Sequence, residues 1–193
     1  MKHKLAVSAD WKDKVAARSQ CRLVSITRAN WWLLNSGVMS LINSYSRLRP
    51  FTDIESCECP SVDSLLLVDL LTRNPIHCGF CRKEVDPERL QLSVEETDSI
   101  AHWFSASSAL YRLWLHSGEY EGYAKARLLD PQGQINVDGR KIAETLSAKW
   151  PTRLWLFYDT DDGEPTHCPV CKNPLNLDVK WGTGCCDQCR IHI

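Results

Sequence analysis

HCPVCKNPLNLDVKWGTGCCDQCR, residues 167–190, holds two Cys-x-x-Cys pairs, Cys168 with Cys171 and Cys186 with Cys189, fourteen residues apart. Two residues between cysteines let a tight turn aim both thiolates at one ion. Two such turns supply the four tetrahedral ligands that a closed zinc site takes at about 2.3 Å. Between the pairs, Leu175, Leu177, Val179 and Trp181 alternate before Gly182-Thr183-Gly184, the pattern of a β-hairpin joining two knuckles. The reading is a zinc ribbon over residues 161–193 that binds one Zn2+ through Cys168, Cys171, Cys186 and Cys189. Four thiolates around a divalent ion leave a net charge of about −2, which Lys172, Lys180 and Arg190 are placed to offset. So small a module cannot build a core unaided, and the metal supplies much of its folding energy. Cys185 could replace Cys186 if the turn held three intervening residues; the usual spacing favours Cys186. His167 and His192 are the next donors in line.

A third pair, Cys78-Gly79-Phe80-Cys81, has Cys57-Glu58-Cys59 eighteen residues upstream. Together they would make a second four-cysteine zinc site, although a single intervening residue is unusual for structural zinc. His77 could stand in for one thiolate, and the alternative is a buried pair without metal. Cys21 stands alone and reads as a small apolar residue. Redox chemistry is disfavoured because no βαβ pattern precedes Cys168, and nothing couples His77, His102 or His116 to a thiol and an orienting carboxylate. A closed four-thiolate centre also lacks the open position that metal catalysis needs. The sequence therefore points away from an enzyme, and no small-molecule substrate is evident in it.

Ten cysteines in 193 residues without a secretory signal suit a reducing, cytoplasmic setting. Asp10, Lys12, Asp13 and Lys14 argue against a transit peptide, and the apolar stretch from Trp31 to Ile42 is broken by Asn35, Ser36, Gly37 and Ser40, too short for a membrane span. Net charge is −1, but residues 1–50 carry nine Lys/Arg against Asp10 and Asp13, a local +7 that leaves −8 for the rest. The basic segment could touch phosphates or an acidic partner, or be a solvated face.

The clearest helix starts at Ser93, where Ser93 and Glu96 form a capping box. Ile100, Trp103, Phe104, Tyr111, Trp114 and Leu115 then recur at helical spacing until Gly118. A second helix is expected from about Gly139 to Trp150, stopped by Pro151. A strand covered on both faces is expected over 153–159. Ser64 to Leu71 is an apolar element of undecided type, Trp11, Val15 and Arg18 suggest a short amphipathic helix, and Trp31 to Ile42 suggest a second apolar element before the turn at Pro50. The polar stretch 159–165 reads as a domain boundary. The fold class is α+β: a basic segment 1–50, a mostly helical body 51–160 with a few strands and Trp103, Trp114, Trp150 and Trp155 in its core, then the β ribbon.

The blocks NPIHCGFCRKEV (74–85), LYRLWLHSGEYEGYAKARLLD (110–130), INVDGRKIAETL (135–146), RLWLFY (153–158), HCPVC (167–171) and CDQCR (186–190) occur in order. In these the chain resembles a family of uncharacterised bacterial proteins described as zinc-ribbon-containing and as candidate nucleic-acid binders. The resemblance covers about residues 75–190. It implies a C-terminal ribbon with Cys168, Cys171, Cys186 and Cys189 as ligands. One departure is Lys172, where the family often has a glycine after the first ribbon pair. Two functions follow as expectations: nucleic-acid binding through the ribbon's basic residues and the basic segment, or a protein-interaction module, an adaptor or neutralising partner, using the ribbon as a docking face.

Overall fold

An apolar run needs cover on both sides, and the one beyond Ser64 obtains it as an interior strand. The computed structural model describes residues 44–48, 55–69 and 71–193. The expected helix near Trp11, the apolar element from Trp31 to Ile42, almost all of the basic segment, and Cys21 lie outside the described residues. Strand β1 (Leu65–Leu67) pairs antiparallel with β2 (Ile76–Cys78) and parallel with β3 (Thr152–Trp155). β3 continues in parallel to β5 (Ile191–His192), and β4 (Cys185–Cys186) closes antiparallel on β5. The sheet thus runs β2-β1-β3-β5-β4.

Parallel strands need a long crossover, and between β1 and β3 it contains a one-turn helix, Pro87–Leu90, and three longer ones: α1 (Val94–His116), α2 (Glu121–Leu129) and α3 (Gln134–Leu146). α1 begins at the expected capping box. The Ser93 N–H donates to Glu96 Oε2 at 2.7 Å and the Glu96 N–H to Ser93 Oγ at 3.1 Å. Its fully buried residues, Thr97, Ile100, Ala101, Trp103 and Ser107, lie in the first two-thirds of the helix, while Leu113 and Leu115 remain exposed. α3 starts five residues earlier than the periodicity suggests and ends at Leu146. The N–H groups of Lys149 and Trp150 fold back to Leu146 O, at 2.9 Å each, before Pro151. Gly139 lets α3 lie against β3, since a Cβ there would come within 2.9 Å of both Leu154 Cδ atoms and Trp103 Nε1.

α2 has no counterpart among the sequence expectations. It buries only Ala124 and Leu128, and Lys125 ties it to the segment after β3 through Asp159 (2.7 Å) and Asp162 (2.9 Å). The expected strand over 153–159 is shorter, with regular pairing confined to Thr152–Trp155. Of the four tryptophans assigned to the core, only Trp103 is fully buried; Trp114, Trp150 and Trp155 are half-buried. Among the described residues of 51–160 helices outweigh the three short strands, and with β4 and β5 the fold is mixed α+β. The acidic stretch after Asp159 makes a short 3-10 turn, Thr160–Asp162, and the cysteine-rich tail then returns β4 and β5 to the same sheet. None of the described helices is long and apolar enough to cross a membrane.

Strand alternation separates two faces. Leu65, Leu67, Ile76, Leu154 and Ile191 share the helix side, all buried in the core. Leu66, His77, Trp155 and His192 share the other, where Arg82 and Trp181 pack in place of a helix.

Because the capping box anchors the longest helix, Ser93→Ala should cost about 1 kcal/mol of stability. Denaturant unfolding of the two proteins, read by tryptophan fluorescence, checks this.

Two candidate metal centres

In the tail, Cys168 and Cys171 sit on a tight turn. The Cys168 N–H donates to Asn173 O (2.8 Å), the Lys172 N–H to Cys168 O (2.9 Å), and Lys172 takes the left-handed conformation, φ +64°. Cys186 arrives from β4 and Cys189 from the turn that follows, with Arg190 at φ +52°. All four Sγ atoms lie within 4.8 Å of one another. The Cys171 and Cys186 sulfurs are 3.7 Å apart. That matches about 3.8 Å, the edge of a tetrahedron with corners about 2.3 Å from a central ion, and is far from the ~2.05 Å of a disulfide.

Cys186 rather than Cys185 joins this group, and the strand explains it. Consecutive residues on β4 point to opposite faces, so Cys185 turns away towards the charge of Arg153, where burial raises its thiol. The expected hairpin does not form as two strands. Leu175 is buried, Leu177 is 60% exposed, and single bridges, His167 with Pro174 and Asn176 with Cys185, replace a ladder.

The upstream four, Cys57, Cys59, Cys78 and Cys81, also place their sulfurs within 4.8 Å of one another. Cys78 closes β2, and its turn repeats the tail's geometry. The Cys78 N–H donates to Lys83 O (2.9 Å), the Arg82 N–H to Cys78 O (2.8 Å), and Arg82 has φ +65°. Gly79 packs tightly on Ser64, since a Cβ there would come 2.2 Å from Ser64 Oγ and displace that hydroxyl. Despite their one-residue spacing, Cys57 and Cys59 both bring their thiols to the group, with Glu58 exposed between them. The Cys57 N–H donates to Glu84 O (2.7 Å), and the Arg89 guanidinium donates to the carbonyls of both cysteines.

Within each group the thiols oppose one another. The Asn173 backbone N–H, helped by neighbouring thiols, lowers Cys171 to about 7. Burial and the adjacent sulfurs raise Cys186 and Cys189. Upstream, burial pushes Cys57 up but the Cys59 N–H and nearby thiols more than reverse it, whereas burial takes Cys81 up to about 12. The Cys81 thiol pulls Cys59 down, yet burial and Cys57 outweigh it and leave Cys59 raised. In each cluster one thiol, Cys171 or Cys57, is shifted down while neighbours are shifted up. All four ionise together only against a cation, so each set could hold a metal ion.

The remaining donors are engaged elsewhere. His77 Nδ1 lies 2.7 Å from Arg82 O and Nε2 3.1 Å from Asn74 O, and burial lowers its pKa. His192 Nε2 is 2.6 Å from Trp181 O, and His167 Nδ1 is 2.9 Å from Thr166 Oγ1. Lys172 Nζ donates to Pro169 O at 2.9 Å. Lys180 Nζ sits 4.4 Å from the centre of the Phe80 ring and 5.0 Å from that of Trp181. Sequence reasoning missed Phe80 and Arg82. The available signal was that each Cys-x-x-Cys is followed by a basic residue, Arg82, Lys172 or Arg190.

In reduced, metal-free protein, an alkylating reagent at pH 7 should modify Cys171 well before Cys81 or Cys189. A group near 7 loses thiolate as pH falls, so labelling of Cys171 should slow roughly tenfold for each unit below its pKa. Peptide mapping by mass spectrometry reads both outcomes. Comparison with known proteins gave no match to any family model, curated protein or solved structure.

Proposed function

We propose that the chain is a non-enzymatic protein that binds two zinc ions, one per four-cysteine group, and uses the surface they hold to bind single-stranded nucleic acid. Four thiolates in a tetrahedral array suit zinc, and a closed set leaves no coordination position for a substrate. In this reading the tail is the zinc ribbon and its thiols stay reduced in the cytoplasm. The resemblance of residues 75–190 to the zinc-ribbon family points the same way.

One observation carries the nucleic-acid reading. The Arg82 guanidinium lies between the Trp155 ring (5.0 Å) and the Trp181 ring (4.8 Å), beside Lys180 on Phe80, which is 69% exposed. Phe80 and Arg82 come from the upstream turn, and Lys180 and Trp181 from the tail. Basic and aromatic groups separate in sequence thus meet between the two metal sites. A cavity of about 350 Å³ opens beside them, walled by Leu66, His77 and Trp155. Aromatic faces interleaved with cations are how single strands are held, bases stacking while phosphates meet the charges. The −8 balance outside residues 1–50 disfavours a long duplex footprint, whereas a local cluster suits a short strand.

A second reading, a protein-docking module, is favoured by Leu113, Leu115, Tyr120 and Tyr123, apolar and exposed around the α1–α2 junction. Parallel capture from nucleic acid and from lysate separates the two.

Metal analysis should return two zinc ions per chain, with Cys186→Ser losing one and Cys185→Ser neither. A labelled single-stranded oligonucleotide should bind at ~50 mM salt and weaken steeply as salt rises. Phe80→Ala should remove about 1–3 kcal/mol of that binding. Absence of anisotropy change at the low-salt end would refute the nucleic-acid reading.

A further inference from the structure

Past the carboxyl ends of the parallel strands β1 and β3 lies a cavity of about 290 Å³ on the helix side of the sheet, apart from both cysteine groups. Open sheets with parallel strands bind ligands in this position, because the chain diverges there into loops and helices. Asp69 follows β1 by two residues, and Phe157 continues the chain beyond β3. α1 contributes Tyr111 and Trp114.

The lining has a defined chemistry. Tyr111, Trp114 and Phe157 form a mutual cluster with ring centres 4.8–6.1 Å apart, and each remains half-buried. Asp69 is the carboxylate among them. Its Oδ1 accepts from Ser108 Oγ at 2.8 Å, whereas its buried Oδ2 has no hydrogen-bond partner among the described residues. Burial raises the carboxyl's pKa, opposed by the hydroxyls of Ser107 and Ser108 and the charge of Arg112. A carboxylate left half-satisfied in an apolar setting is costly, and a cation brought to it offsets that cost. Aromatic faces attract cations as well. An anion would meet repulsion, a neutral apolar molecule would leave Oδ2 unmet, and a single carboxylate, with only neutral hydroxyl and amide groups besides, supplies less charge than hard metal sites use.

We propose that this cavity binds a small organic cation, an ammonium group on a compact apolar body, with Asp69 as counter-ion and Tyr111, Trp114 and Phe157 as walls. Its volume is that of about ten water molecules, room for a group of about ten non-hydrogen atoms. The site is independent of the nucleic-acid reading and stands or falls without it.

The test is calorimetric titration of the full, zinc-supplemented chain with choline, with benzylamine, and with 3,3-dimethylbutan-1-ol, the uncharged counterpart of choline. At least one cation should bind saturably, and choline at least tenfold more tightly than its neutral counterpart. Asp69→Asn should lose at least tenfold in cation affinity while melting no lower than the parent, since it removes a half-paired, partly buried charge. Trp114→Leu, which leaves the carboxylate in place, should also weaken binding. Saturable binding of neither cation, equal binding of the neutral compound, or unchanged affinity in a folded Asp69→Asn protein would each overturn the proposal.

Discussion

The convergence of four sulfurs at each edge of the sheet is the constraint on which the rest depends. The outer strands are β2, three residues long, and β4, only two. Ladders that short cannot hold an edge unaided. Each ends in a cysteine group instead, Cys78 on β2 and Cys186 on β4, and both cysteines are buried within the hydrophobic core. Both groups alternate one buried thiol with one half-buried thiol, so each binds an edge strand inward while its outer sulfurs face the surface turns. A cation there would join segments that the ladder alone leaves loosely tied, which is why folding and metal binding are expected to be coupled in such a sheet.

This division explains what the sequence disclosed. The tail pairs were legible because a two-residue spacing encodes its own turn, and Ser93 with Glu96 because a capping box is local. Cys57 and Cys59 were ambiguous for the opposite reason. Their one-residue spacing encodes no turn, and their segment is held by Glu84 and Arg89, about thirty residues on, which no local pattern reveals. The alternation of Leu175, Leu177 and Val179 suggested a hairpin, but the tail's ordered backbone is taken up by the turns around its cysteines, and Leu177 is left in solvent. α2 was invisible because only Ala124 and Leu128 are buried, and it is positioned by Lys125 reaching Asp159 and Asp162. The surface at Arg82 and the cavity at Asp69 each join residues from three separate elements, so neither has a sequence signature.

The three basic residues that follow the Cys-x-x-Cys pairs bring these levels together. Arg82, Lys172 and Arg190 all have positive φ, a conformation that disfavours a side chain by about 1–2 kcal/mol relative to glycine. Lys172 is therefore not an isolated departure from a glycine-bearing turn, since all three knuckles share it. Each turn is thus followed by a basic residue, and four thiolates on a divalent ion would carry about −2, a charge that nearby cations would offset in part. Arg82 shows a second consequence, because the same left-handed turn that closes the Cys78–Cys81 loop also delivers its guanidinium between Trp155 and Trp181. A glycine there would relax the backbone and remove the cation at the centre of the aromatic surface. The strain at these positions is thus tied to the sulfur clusters on one side and to the exposed face on the other, and neither can be altered without disturbing its partner.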